Sequence, residues 1–232
     1  MTTQPARSYL RLCLIIFLAA ASLFAKKTKN PSTVRLHEAG TVLSEIMSAP
    51  DKGIPHELIE KSHCVVVVPG LKKAAFVVGG QFGRGFITCR KGHDAWSAPA
   101  AVRIEGGSFG FQIGGAEIDV VLLVMNERGA DRLLSSQFTL GGESSIAAGP
   151  VGRSATAQTD AAMTAEILSW SRSRGIFAGI SLQGATLRQD IDANTAIYGK
   201  RLENKEIVRG PVAVPKSAAR LIRLLKQYPS VS

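Results

Sequence analysis

Two apolar runs set the frame for this chain: CVVVVP at residues 64–69 and EIDVVLLVMN at 117–126. An unbroken run of β-branched residues has no polar side to turn toward water. CVVVVP therefore reads as a strand buried on both faces, and 117–126 as the strongest core strand. Glycines punctuate further strand-like stretches around them. AAFVVGG (74–80) and FGRGFITCR (82–90) read as a hairpin pair that follows a turn at Gly70–Lys73. AWSAPAAVRIE (95–105) is a strand interrupted by Pro99, and GSFGFQIGG (107–115) alternates and then kinks. GIFAGISLQG (175–184) is a further strand, while 161–173 mixes helix and strand formers.

Helical periodicity lies mainly toward the ends. Val34, Ala39, Val42, Leu43 and Ile46 recur at three- and four-residue steps, so 33–48 reads as an amphipathic helix. Pro55 opens a short helix to Lys61. ERGADRLLSS (127–136) is a short helix with Leu133 and Leu134 inward, and TLRQDIDANTAIYG (186–199) is a helix ending at Gly199. IVRGPVAVP (207–215) reads as extended. KSAARLIRLLKQY (216–228) reads as an amphipathic basic helix with Lys216, Arg220, Arg223 and Gln227 on one face. This order gives an α+β class: a mainly antiparallel, strongly bent sheet or partial barrel, with helices at the N- and C-terminal ends.

Residues 1–25 stand apart from the fold. Arg7 and Arg11 precede LCLIIFLAAASLFA (12–25), fourteen residues without a charge and apolar apart from Ser22. A spanning helix needs about 20, so the segment reads as a signal peptide, with an uncleaved anchor as the alternative. KKTKNPS (26–32) is a linker, 33–200 the domain, and 201–232 a basic tail. Cys13 lies at the start of the apolar run rather than after it, which argues against a lipid anchor. Cys64 and Cys89 each sit at an end of an apolar run and read as buried thiols, although export would permit a bridge.

The formal net charge of +10 is unevenly placed. Residues 30–199 hold 15 Lys/Arg against 16 Asp/Glu, whereas 200–232 hold eight against two. A neutral body with basic ends lacks the continuous stripe of a nucleic-acid-binding domain. It suits termini that approach an anionic surface such as phospholipid head groups.

Catalytic patterns fail on context. Gly106-Gly107-Ser108-Phe109-Gly110 matches a nucleophile elbow, but a strand follows the serine and all four histidines (37, 56, 63, 93) precede it. AAGPVGRS (147–154) departs from a phosphate loop at Ala147 and Arg153, and Pro150 removes a backbone donor. The glycines of 79–85 lie between strands and do not form a dinucleotide loop. The scattered histidines have no partners at metal-ligand spacing. The chain reads as a non-enzyme without cofactor or metal.

FTLGGESSIAAGPVGRSATA, SWSRSRGIFAGISLQGATLRQD and NTAIYG resemble the C-terminal signature of the SYLF-domain family. The upstream blocks IPHELIEKSHCVVVVPGLKKAAFVVGGQFGRGFITCR and WSAPAAVRIEGGSFGFQIGGAEIDVVLLVMN agree. The likeness spans about 33–200. It implies a non-enzymatic lipid-binding module, with actin binding in fungal members and a membrane-engaging N-terminal segment, here the helix 33–48. That helix is not strongly basic, because Arg35 faces Glu38 and Glu45. Gly141, Gly142, Gly149, Pro150, Gly152 and Gly175 would be architectural. Head-group contacts are expected from Lys72, Lys73 and Arg84 in turns and from Arg153, Arg172 and Arg174 near the signature. Arg220, Arg223 and Lys226 of the tail would add membrane contacts. The partner is a phospholipid surface, with an envelope protein the alternative.

Overall fold

The two apolar runs lie side by side at the centre of one sheet. The computed structural model describes residues 30–49, 53–75, 78–109, 114–141, 146–148, 165–173, 176–177, 182 and 184–230. Its strands are β1 (Cys64–Ala75), β2 (Val78–Cys89), β3 (Ala100–Phe109), β4 (Gly114–Val124), β5 (Gln137–Thr139), β6 (Ile146–Ala148), β7 (Ile167–Ser173), β8 (Ile176–Phe177) and β9 (Thr186–Gln189). The order is β5-β9-β3-β2-β1-β4-β7-β6, with β8 on β7. Neighbours run antiparallel except β6 and β7. Helices α1 (Pro31–Met47) and α2 (His56–Lys61) precede the sheet, and α3 (Glu127–Leu133) follows β4. After β9 come α4 (Ile191–Tyr198), α5 (Asn204–Arg209), a 3-10 turn at Lys216–Ala218, and α6 (Ala219–Leu225).

Both faces of β1 are covered, as its composition requires. On one face Val66 and Val68 join Leu122, Val124, Ile104, Leu187 and Phe138, together with Leu133 of α3 and Ile207 of α5. A cluster that collects side chains from strands as far apart in the order as β5 and β4 requires the sheet to curl. On the other face Val65 and Val67 join Phe86, Val121 and Leu123 beneath Leu36, Leu43 and Ile46 of α1 and Leu221 and Leu225 of α6. Each such side chain contributes about 1.5–3 kcal/mol when fully buried. This two-sided burial makes the α+β class and bent sheet read from the sequence the observed architecture.

Several local expectations are corrected. The expected turn at Gly70–Lys73 is an interruption within β1. Its pairing slips between Val67 and Lys72 on β2, and between Val68 and Leu71 on β4. Gly70 absorbs the slip at φ +58°, a conformation that a side chain disfavours. Beyond it Lys72 is opposite both Phe82 and Glu117, so the strand continues and Gly80–Phe82 lie mid-strand. Thr186–Gln189 is a strand rather than the first turn of a helix, because it pairs with β3 and buries Leu187. The helix begins at Ile191, where the Asp190 side chain accepts from Ala193 N, and ends at Gly199. Residues 207–209 are helical rather than extended, since a capping box between Glu203 and Glu206 starts α5 upstream. The mixed stretch contains β7.

Cys64 and Cys89 form a disulfide and are not free thiols. They stand directly opposite on β1 and β2, a placement that the strand register supplies and the separate runs did not reveal. Both are buried.

The C-terminal segment packs onto the body. Beyond the α6 contacts, Arg90 donates from Nε to Ser62 O (2.9 Å) and from Nη2 to Ile59 O (2.7 Å) and Tyr228 O (3.0 Å). Its guanidinium lies 4.5 Å from the Trp96 ring centroid. One half-buried cation just past β2 thus ties α2, the loop before β1 and the C-terminal segment together. Burial pushes its pKa below the ordinary arginine value.

Candidate functional site

Of the six expected head-group cations, four lie among the described residues. Lys72 and Lys73 lie in β1 and Arg84 in β2, in strands rather than turns. Arg153 and Arg174 lie outside the described residues, as does most of the glycine-rich stretch 139–154. Gly141 has the left-handed φ (+78°) expected of a turn glycine.

Lys72 and Arg172 line one cleft of about 920 Å³ between α1 and the upper parts of β1, β4 and β7. Arg35 adds a third cation, but Glu38, Glu117 and Asp119 line it too, so the wall is balanced in charge. Arg172 donates from Nη2 to Glu45 Oε2 (2.6 Å) and Asp119 Oδ2 (2.9 Å), while Gly70 N donates to Asp119 Oδ1 (3.0 Å). Burial disfavours its charge, but the hydrogen bonds of Asp119 and Glu45 outweigh that and raise its pKa. Arg172 therefore braces α1 against β4, and its fork is already engaged.

A second arrangement escaped the sequence reading. β2, β3 and β9 place Arg84 opposite Arg103, and Arg103 opposite Arg188, in one rung across the sheet. Their side chains are 46%, 33% and 42% exposed. Arg84 approaches the buried cap Asp190 at 3.4 Å, and Glu105 lies 2.9 Å from Arg103 Nε and 3.8 Å from Arg188 Nε. Alternate spacing on each strand was visible in the sequence, but the partner register was not.

The third feature is α6. Its apolar side is spent against α1, and Gly40 permits the close approach: a side chain there would meet the Leu221 backbone at 2.9 Å. Arg220, Arg223 and Lys226 are left exposed, joined by Lys216. Arg220 Nη1 donates to Thr41 Oγ1 at 2.9 Å. Residues 210–230 contain no carboxylate side chain.

Catalytic context stays weak. Ser108 sits within β3 opposite Gly79, with no elbow. His93 pairs with its neighbour Asp94 (2.6 Å), and His56 packs against Tyr228. Among the described residues no three His, Cys, Asp or Glu side chains converge as a metal site.

The family model described as Ysc84, Las17-binding protein actin regulator, matches residues 105–228, more than half of the chain. The chain belongs to the Ysc84 family. It is 34% identical to Protein YSC84 of Saccharomyces cerevisiae over 76% of this chain and 38% of that protein. It is 38% identical to an SH3 domain-containing protein of Schizosaccharomyces pombe over 74% of the chain and 40% of that protein. For the SH3 domain-containing YSC84-like protein 1 of Rattus norvegicus the identity is 32%, over 78% and 53%. The chain thus spans about two fifths to half of these relatives. The Ysc84 match continues past residue 200 to Tyr228, as the packing of α5 and α6 into the core requires. The family's description is that of a regulator, not an enzyme.

Proposed function

We propose that this Ysc84 domain is a non-enzymatic, exported module that docks on anionic phospholipid. The exposed basic face of α6 carries this reading. Arg220 and Arg223 stand on a helix fixed by its buried side, with Lys226 at its end and Lys216 in the turn before it, in a segment without carboxylates. Because that apolar side is occupied, contact is electrostatic and peripheral rather than by helix insertion. Export is supported by the charged and apolar N-terminal segment, and the Cys64–Cys89 bridge suits an oxidising compartment.

Co-sedimentation with phosphatidylglycerol and phosphatidylcholine vesicles tests the reading. Binding should be confined to the anionic vesicles and fall with salt. Each basic residue near an anionic surface contributes about 1 kcal/mol, so R220A/R223A/K226A should weaken binding about a hundredfold. Equal binding to both vesicles, insensitive to salt, would sink it.

A second reading is supported by the family description and the balanced cleft: docking of a protein segment, from an envelope partner in an exported chain. It predicts crosslinks from Lys72 to a partner and no vesicle binding.

A further inference from the structure

We propose that Arg84, Arg103 and Arg188 form a binding site for a phosphate group, separate from the α6 face. Like charges directly opposite on neighbouring strands destabilise a sheet. Here three arginines occupy consecutive positions of one rung, and the next residue along it, Gln137 on β5, is another donor. Strand spacing of about 4.8 Å puts the three arginine Cα atoms within roughly 10 Å.

The carboxylates present do not use up these donors. Glu105 serves both Arg103 and Arg188. Asp190 is a buried helix cap whose Oδ1 accepts from Ala193 N, so it cannot swing out to follow Arg84. Three cations thus face two carboxylates. The Nε atoms of Arg103 and Arg188 are shut off from water without a hydrogen-bond acceptor, although Glu105 is near, and Asp190 Oδ2 is shut off likewise. Among the described residues the terminal nitrogens of the three arginines make no hydrogen bond, and the side chains remain a third to a half exposed. A planar guanidinium pairs with phosphate in a two-point fork. A tetrahedral dianion would offer oxygens to several forks at once and offset the surplus charge. The phosphate could belong to a soluble ester or to a lipid head group, since the chemistry is shared.

The test follows the arginine Nε–H signals of the full chain by nuclear magnetic resonance during titration with inorganic phosphate. Saturable shifts of Arg84, Arg103 and Arg188, absent with acetate at the same ionic strength, are expected. R103Q should weaken binding about tenfold, the size of a lost charge-assisted contact. R188K keeps the charge but loses the fork, and should also weaken it while leaving the thermal midpoint close to wild type. Unshifted signals, an equal response to acetate, or wild-type affinity in both variants would overturn the site. Adding phosphatidylglycerol vesicles separates the sources. Shifts with vesicles support a head group, and shifts with inorganic phosphate alone support a soluble ester. R220A/R223A/K226A should still answer to inorganic phosphate, so loss of vesicle docking and loss of this site remain distinguishable.

Discussion

One face of the sheet behaves in two ways along its length. Near the disulfide, the helix-side positions Val65, Val67, Phe86, Val121 and Leu123 lie dry beneath α1 and α6. Further along the same strands and on the same face, Lys72, Glu117, Phe82, Arg84, Arg103, Glu105 and Arg188 are partly or fully open to water. Alternation continues across the change. What differs is the cover, and the slip at Gly70 marks the boundary on β1. The lesson is that strand periodicity gives the face, while the reach of the helices decides whether it becomes core or site.

The strongest attack on the dry half is Phe86→Ala. Phe86 is 2% exposed and sits under the helices, so the loss should be about 3–5 kcal/mol by denaturant unfolding. Removing the cross-strand bridge comes next. Cys64 and Cys89 are separated by 25 residues in sequence, and C64A/C89A should cost about 3 kcal/mol. A wild-type midpoint that ignores reductant under unfolding conditions would show that the bridge contributes little.

The divide between dry and wet halves was only half legible in the sequence. CVVVVP announced two-sided burial because Cys64 to Val68 offer no polar side to water, and all five are buried. The helix at 33–48 and the end at Gly199 were also readable from spacing and local conformation. Register was not. Whether Cys64 meets Cys89, or Arg84 meets Arg103 and Arg188, depends on which strands pair and where β1 slips, and neither is a local property. β9 was hidden for the same reason: Thr186–Gln189 has ordinary helical composition, and only an open edge on β3 makes it a strand. The C-terminal cations were visible, but the docking of their helix depended on a complementary surface on α1.

A pH titration probes the margin of the core on the opposite face, against which Tyr198 packs. Tyr198 Oη donates to Pro99 O at 2.6 Å, and burial raises the phenol above its usual 10.0. The folded state therefore holds the proton more tightly than the unfolded chain. This contribution is complete below pH 10.0 and is lost as pH rises above it, by about 1.4 kcal/mol per unit until the folded group itself ionises. Tyr198→Phe should remove most of that slope at a cost near neutrality of about 1 kcal/mol. Tyr228, raised by burial and then by Glu60, leaves a residual slope.

The smallest effect is the sharpest comparison. Phe82 and Phe86 share a strand and a face, yet Phe82 is 45% exposed and lies beyond the helices. Its ring is 5.6 Å from the Arg84 guanidinium, an exposed cation–π contact worth about 0.5–1 kcal/mol. Phe82→Ala should therefore cost less than about 1 kcal/mol in unfolding free energy, several-fold below Phe86→Ala. The same residue type would then report cover rather than sequence. Equal losses at the two positions would mean that the upper half is as enclosed as the lower. The arginine rung beside Phe82 would then lack the access to solvent that an anion site needs.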